Sequence, residues 1–220
     1  MAGRTLEQKL VLGSVTILTL ITVYLFGFWQ HDLPPSIAID TTGQPVMGNR
    51  FAPLEIVVFL DPKCPVCRVF HQSVLPEICE AYVTPNYARV CFIPITFLSG
   101  ARPAGMALLE VYHQNPDLFF HFLEDLYAEQ GLEEDDWCTP DFLKHIASEV
   151  AGVDADAVYE AIISAKYSAT LDHNLSIALD IMHGQVLTPS VFVEGMPVRE
   201  PTFDSIEDLC ERTLDAYGVH

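Results

Sequence analysis

Two cysteines, Cys64 and Cys67, stand two residues apart in the stretch Asp61-Pro62-Lys63-Cys64-Pro65-Val66-Cys67. Thiols at this spacing can do redox chemistry. A thiolate at Cys64 can attack a disulfide, and Cys67 is near enough to close a bond with it or to resolve a mixed disulfide. The same spacing serves zinc, with His71 as a third ligand. A structural zinc site usually draws on a second ligand pair, and the chain has no other Cys-x-x-Cys. Redox exchange leads; metal binding and an inert structural pair are the competitors.

The flanking segments position these thiols. Leu54-Glu55-Ile56-Val57-Val58-Phe59-Leu60 is apolar and β-branched, as a strand buried on both faces should be. Beyond the cysteines, Val66, Val69, Phe70, Val74, Leu75 and Ile78 recur at helical spacing. Pro65 then falls at the first helical position, where a missing N–H costs nothing. Cys64 sits just ahead of it, at the positive end of the helix dipole, with Lys63 adjacent as a further cation.

The chain has 220 residues, of which 30 are acidic and 11 basic, for a net charge of -19. That balance argues against a nucleic-acid partner, since binding phosphates needs a basic surface. Residues 10–29 are apolar and carry no charge. At about 1.5 Å per residue they match a hydrocarbon core of roughly 30 Å. Arg4 and Lys9 precede this stretch, His31-Asp32 follow it, and Trp29 fits an interfacial anchor. One transmembrane helix is expected, uncleaved, with the N-terminus cytoplasmic and residues 33–220 outside. A cleaved signal peptide would have a shorter apolar region and a small-x-small site, which is not evident after Phe28.

Six cysteines (64, 67, 79, 91, 138 and 210) are ordinary for an exported protein. Cys79 and Cys91 lie in apolar or helical stretches and read as buried thiols. Cys138, after an acidic loop, and Cys210, on a terminal helix, read as more exposed and hence open to pairing; the pairing itself stays open.

Along the rest of the chain, Ser36-Ile37-Ala38-Ile39-Asp40 reads as a short edge strand, and residues 46–53 as a loop feeding the main strand. The cysteine helix should fray near Tyr82. Ala88 to Ile95 is a second buried strand, joined to the first by a right-handed parallel crossover. From Pro103 to His183 the pattern is helical, with Thr139-Pro140 opening one helix and Asp154 the next. The stripe Phe119, Phe120, Phe122 reads as core. Strand character returns at Ser190-Val191-Phe192-Val193, followed by a hairpin turn at Glu194-Gly195 and a closing helix from Phe203 to Tyr217. The expected plan is an α/β sheet domain split by a helical insertion. Residues 1–33 form the anchor, 34–100 and 185–220 the sheet domain, and 101–184 the insertion.

Thr188-Pro189 immediately precedes the Ser190 strand. Proline is tolerated there, and X-Pro is the ordinary place for a cis peptide bond. A trans turn proline is the plainer alternative. A cis bond would turn the Thr188 backbone toward an open groove, where an extended peptide could add as a strand.

These motifs together resemble the DsbA-type branch of the thioredoxin superfamily, bacterial envelope thiol–disulfide oxidoreductases. The residues carrying the resemblance are Val46-Met47-Gly48-Asn49, Ala52-Pro53, Cys64-Pro65-Val66-Cys67, Phe70-His71 and Val74-Leu75-Pro76-Glu77, then Thr188-Pro189-Ser190, Phe192-Val193 and Gly195. It spans about residues 36–217. It implies a thioredoxin-like fold, with Cys64 as nucleophile, Cys67 as resolving thiol, Pro189 as cis-proline and Thr188 as its peptide-facing neighbour. It also implies catalysis without an external cofactor, cysteine-containing exported proteins as substrates, a membrane redox partner, and a place on the outer side of the bacterial inner membrane.

The chain departs from the family at three positions. Val58 stands where members often carry a buried acid that shuttles a proton to the second thiol, leaving Asp61 and Lys63 as the nearer candidates for proton or charge tuning. Val66 replaces the histidine of strongly oxidising members, and Leu187 replaces a glycine common before Thr-Pro. The family favours an oxidase over a reductase or isomerase; Val58 and Val66 pull toward a less oxidising pair. Two readings lie outside catalysis: a chaperone-like peptide-binding module with permanently oxidised cysteines, and metal handling by Cys64, Cys67 and His71.

Overall fold

The computed structural model describes residues 17–22 and 33–219. The expected membrane span at 10–29 lies outside the described residues except for 17–22, which are helical, with Ile17, Leu18, Leu20 and Ile21 exposed. Among the described residues no helix is long and apolar enough to cross a membrane.

Five strands form one sheet: β1 (Val46–Met47), β2 (Leu54–Leu60), β3 (Ala88–Pro94), β4 (Ser190–Val193) and β5 (Met196–Pro197), in the order β1-β3-β2-β4-β5. The apolar runs become the two central strands, which pair in parallel from Leu54↔Ala88 to Leu60↔Pro94. β4 joins the other edge of β2 antiparallel, with Phe59 opposite Ser190 and Val58 opposite Val191. Alternation divides the side chains between two faces. Ile56, Val58, Leu60, Val90 and Phe92 enter the main core, while Val57, Phe59, Cys91 and Ile93 enter a second layer.

Helix α1 leaves the cysteine motif and runs to Val83 in four joined pieces. Pro65–Val69 and Leu75–Ile78 are α-helical; Phe70–Val74 and Cys79–Val83 are π-helical. Each widened turn stands just before a proline, Pro76 or Pro85. Proline brings no N–H and its ring crowds the carbonyl four residues back, so the ladder opens to i→i+5 bonds. Leu75 N–H accordingly reaches Phe70 O, and Thr84 N–H reaches Cys79 O at 2.8 Å. The buried face follows Cys67, Phe70, Leu75, Ile78 and Tyr82. Val66 and Val69, expected on that face, are instead exposed at 56% and 55%, on the open side of the cysteines.

A helical insertion separates β3 from β4. It comprises α2 (Arg102–Gln114), a short 3-10 turn (Pro116–Leu118), α3 (Phe119–Ala128), α4 (Pro140–Glu149), α5 (Ala155–Ile163) and α6 (Ser168–Ile181). Thr139 and Asp154 cap α4 and α5, their side chains accepting from Phe142 N–H and Ala157 N–H. Phe119 and Phe122 are fully buried in the main core, as their spacing suggested. Ala178 of α6 covers the second sheet face. Asn174 of the same helix is buried, donating to Pro94 O at 2.9 Å and exchanging two hydrogen bonds with Gln44. The closing helix α7 (Phe203–Tyr217) completes the main core through Ile206, Leu209 and Leu214.

The edge strand expected at Ser36–Asp40 does not form. That segment makes a single backbone bond, Ile37 N–H to Gly195 O at 2.9 Å, against the hairpin turn and no ladder. Gly195 has a positive φ, and a Cβ there would strike the Ile37 carbonyl, so only glycine permits the approach. The sheet edge is supplied instead by β1, read from sequence as loop, which pairs Val46↔Cys91 and Met47↔Val90.

Candidate active site

The end of β2 delivers Asp61, Pro62 and Lys63 into a tight turn in which Cys64 N–H donates to Asp61 O at 3.0 Å. The turn is pinned from within. Asp61 Oδ1 accepts from Lys63 N–H at 2.9 Å, and Oδ2 accepts from Phe97 and Leu98 N–H, each at 3.0 Å, on the loop after β3. Cys64 then takes the N-cap position of α1, with extended backbone (φ -71, ψ 120) and Pro65 following. Its sulfur accepts from Cys67 N–H at 3.4 Å. A thiol thus stands where serine or aspartate usually caps a helix, in contact with the orphan N–H groups and the positive dipole end.

The second half of the site arrives on β4. The Thr188–Pro189 peptide bond is cis. The Thr188 carbonyl accepts from the Cys64 thiol at 3.4 Å, and the buried Thr188 hydroxyl lies beside both thiols and favours the anion at each. Leu187 beside it is 71% exposed.

These surroundings separate the two thiols. Hydrogen bonding from the Cys67 side chain, then from the Thr188 side chain and the Cys67 and Val66 backbone, draws Cys64 down from 9.0 to about 6. Cys67, 2% exposed, is held well above its ordinary range, first by burial and then by Cys64. Both are buried, Cys64 at 6% exposure, but Cys64 is ionised at neutral pH while Cys67 stays protonated. That division suits a nucleophile and a resolving thiol.

Asp61 and Lys63 are both buried. Burial raises the Asp61 carboxyl to about 7, against the pull of its backbone donors. The Lys63 ammonium donates to Ser99 O at 2.8 Å and Asp135 O at 2.9 Å. Its charge is thereby committed to two carbonyls, tying the cysteine turn to the acidic loop before α4.

Sequence reasoning missed two residues of the insertion. Gln130, just past α3, is buried, and its Nε2 donates to Pro62 O at 3.0 Å and Cys64 O at 3.3 Å. Tyr127 on α3 is fully buried and packs against His71, ring centroids 5.3 Å apart. An aromatic and a glutamine on a helix sixty residues away carry no sequence signal that points to Cys64. His71 Nδ1 is buried without a partner, and among the described residues no group of histidines, cysteines and carboxylates is placed to hold a metal.

The other four cysteines are thiols. Cys91 is buried, and Cys79, half-buried, touches the Met47 sulfur at 3.2 Å. Cys138 and Cys210, expected to be exposed, are buried at 6% and 0%. Both belong to the main core, Cys210 on the buried face of α7. Burial pushes both up to about 12.

A family model described as Thioredoxin matches residues 40–212. The probable disulfide bond formation protein D of Bacillus cereus is 30% identical over 175 residues, covering 78% of this chain and 79% of that protein. The disulfide bond formation protein D of Bacillus subtilis is 28% identical over 176 residues, 78% of each. The crystal structure of oxidised BdbD from Bacillus subtilis matches with a TM-score of 0.76 at 27% identity, over 84% of this chain and 100% of that one. The crystal structure of Chlamydia trachomatis DsbA gives the same four figures.

The chain is a DsbA-type thiol–disulfide oxidoreductase of the thioredoxin family.

In this DsbA-type chain the buried acid is in the turn and not on the strand. At Val58 the strand offers an apolar side chain to the main core. A buried carboxyl comes instead from Asp61, in the turn itself; its charge is coupled to that of Cys64, and its backbone favours the Cys67 anion against burial. Val66 is exposed and makes no side-chain hydrogen bond to Cys64; what lowers the DsbA-type thiol here is the neighbouring thiol, Thr188 and backbone N–H groups.

Proposed function

We propose that this chain is a membrane-anchored, extracytoplasmic oxidase of exported cysteine-containing proteins. Cys64 is the nucleophile and site of the mixed disulfide, and Cys67 is the resolving thiol. Pro189 and Thr188 present the backbone beside which an extended substrate peptide lies. Asp61 and Lys63 hold the turn and set its charge. Residues 10–29 are the anchor, the N-terminus is cytoplasmic, and a second membrane protein accepts the electrons.

The observation that carries this reading is the Cys64 thiol at about 6, three residues from a sealed Cys67. A stabilised thiolate favours the reduced pair and so makes the disulfide a better oxidant. The value lies between those of strongly oxidising and thioredoxin-like members, about 3.5 and about 7. That position accords with valine at 66 and supports the reading of a milder oxidase. The apolar, uncharged stretch at 10–29 with basic residues before it supports the anchor and its orientation.

The test is the reduction potential of the full-length protein, by equilibration with glutathione and thiol trapping. A Cys64→Ser, Cys67→Ser variant subtracts the other four cysteines. A potential nearer about -120 mV than about -270 mV supports the oxidase; the reverse makes it a reductase. A pair that cannot be cycled ends the exchange reading.

A further inference from the structure

Among the described residues Tyr127 is the largest fully buried side chain, and its hydroxyl makes no well-aligned hydrogen bond. A buried orphan hydroxyl is destabilising, and phenylalanine would fill the same space without that penalty. The position of the ring gives the hydroxyl a use. Cys67 and His71 lie four residues apart on α1 and so share a face. Tyr127 comes from α3 in the insertion and packs on the His71 ring. Cys64, Cys67 and Tyr127 belong to one contiguous core. The titratable groups facing the phenol are Cys67 and Cys64 from α1 and its cap and Asp61 from the preceding turn, with His71 against its ring. Glu124 on α3 bears on His71.

We propose that the Tyr127 hydroxyl donates a hydrogen bond to the Cys67 sulfur whenever that sulfur carries negative charge. The inference rests on the exchange reading above and adds a residue to it. When a substrate thiolate opens the disulfide, its sulfur bonds to Cys64 and the Cys64–Cys67 bond breaks. The bonding electron pair leaves on Cys67, and the proton shed by the substrate thiol ends there. The substrate sulfur is oxidised into the mixed disulfide and Cys67 is reduced. In the reverse direction Cys67 loses that proton, attacks Cys64, and the substrate leaves as a thiol.

In both directions charge passes through a sulfur that is sealed from water. Among groups that favour that anion are the Asp61 backbone and the Thr188 side chain. The strand offers it no carboxyl, since Val58 stands there, and the Lys63 ammonium is engaged by Ser99 O and Asp135 O. Burial holds the phenol well above its ordinary range, with the charges of Cys67, Cys64 and Asp61 and the closeness of the Cys67 side chain to the hydroxyl adding to it. Tyr127 therefore stays protonated and acts as a donor, never as the base. A better-stabilised leaving thiolate leaves faster.

The test compares full-length wild type with Tyr127→Phe. Oxidised protein is mixed rapidly with a reduced two-cysteine peptide, and the opening rate of the Cys64–Cys67 bond is followed across pH. Tyr127→Phe is expected to slow opening by about tenfold, the scale of one hydrogen bond to a charged group. The Cys64 titration should not move, and the variant should be at least as heat-stable as wild type. A purely structural tyrosine gives the same stability with no change in rate, and that result overturns the proposal. A second readout needs no substitution. Uniform 3-fluorotyrosine makes every phenol a stronger donor and should speed opening; an unchanged rate counts against Tyr127. A wild-type pair that does not open at all sinks the exchange reading together with this inference. A wild type that opens while Tyr127→Phe keeps pace sinks the inference alone.

Discussion

The Cys64 sulfur lies 3.4 Å from the carbonyl oxygen of Thr188, 124 positions further along the chain. Sheet register brings them together. β2 and β4 run antiparallel with Phe59 opposite Ser190, so the turn after β2 and the turn before β4 leave the sheet at the same end. A slip of one residue would send every side chain of β4 to the wrong face and part the two halves of the site.

The two thiols should therefore differ in what they capture. Cys67→Ser leaves a reactive Cys64 with no internal resolving thiol and should accumulate mixed disulfides with a cysteine peptide, visible on a non-reducing gel. Cys64→Ser leaves only the sealed thiol and should capture none. Equal capture by both variants would contradict the division of roles.

Stability should depend on pH through Asp61. Its folded value is about 7 against an ordinary 3.8. Between these the folded chain holds a proton that the unfolded chain has released, so stability falls as pH rises from about 4 to about 7. The full effect is at most about 4 kcal/mol. Cys64 in the reduced protein works the other way. Its folded value is about 6 against 9.0, so the reduced form gains stability as pH rises from about 6 to about 9. Urea midpoints of the reduced protein across pH should show the fall and then the rise. Asp61→Asn should flatten the first and Cys64→Ala the second.

Lys63 should matter to folding more than to thiol ionisation. Lys63→Met removes the donor to Ser99 O and Asp135 O, leaving both carbonyls short of a partner, and should destabilise by about 2 kcal/mol. The acidic loop at 133–136 should become the first site of limited proteolysis. A variant as stable as wild type, with that loop still protected, would show the ammonium to be dispensable.

Much of this site was legible because its chemistry is local. Cys64, Pro65 and Cys67 declare a helix cap by type and spacing, and the runs at 54–60 and 88–94 declare buried central strands. The length of α1 and its register were less legible. A helical wheel at 3.6 residues per turn places Val66 and Val69 inward, whereas two widened turns before Pro76 and Pro85 carry the inner face elsewhere. The edge of the sheet was misplaced because two-residue β1 has too little pattern to read, while Ser36–Asp40 has strand character but makes one backbone bond and no ladder. Cys138 and Cys210 looked exposed from their neighbours in sequence and are covered by neighbours in space. Tyr127 and Gln130 were invisible for the same reason: a helix more than sixty residues away brings them to Cys64.

The most direct measurement is the pH dependence of alkylation of the reduced full-length protein, read cysteine by cysteine by mass spectrometry. Cys64 should react with a midpoint near pH 6, while Cys67 stays unreactive throughout the range in which the protein is folded. A Cys64 midpoint near 9.0, or Cys67 reacting alongside it, would contradict the central claim that the Cys67 thiol, Thr188 and the helix cap make Cys64 the nucleophile while burial keeps Cys67 its silent partner.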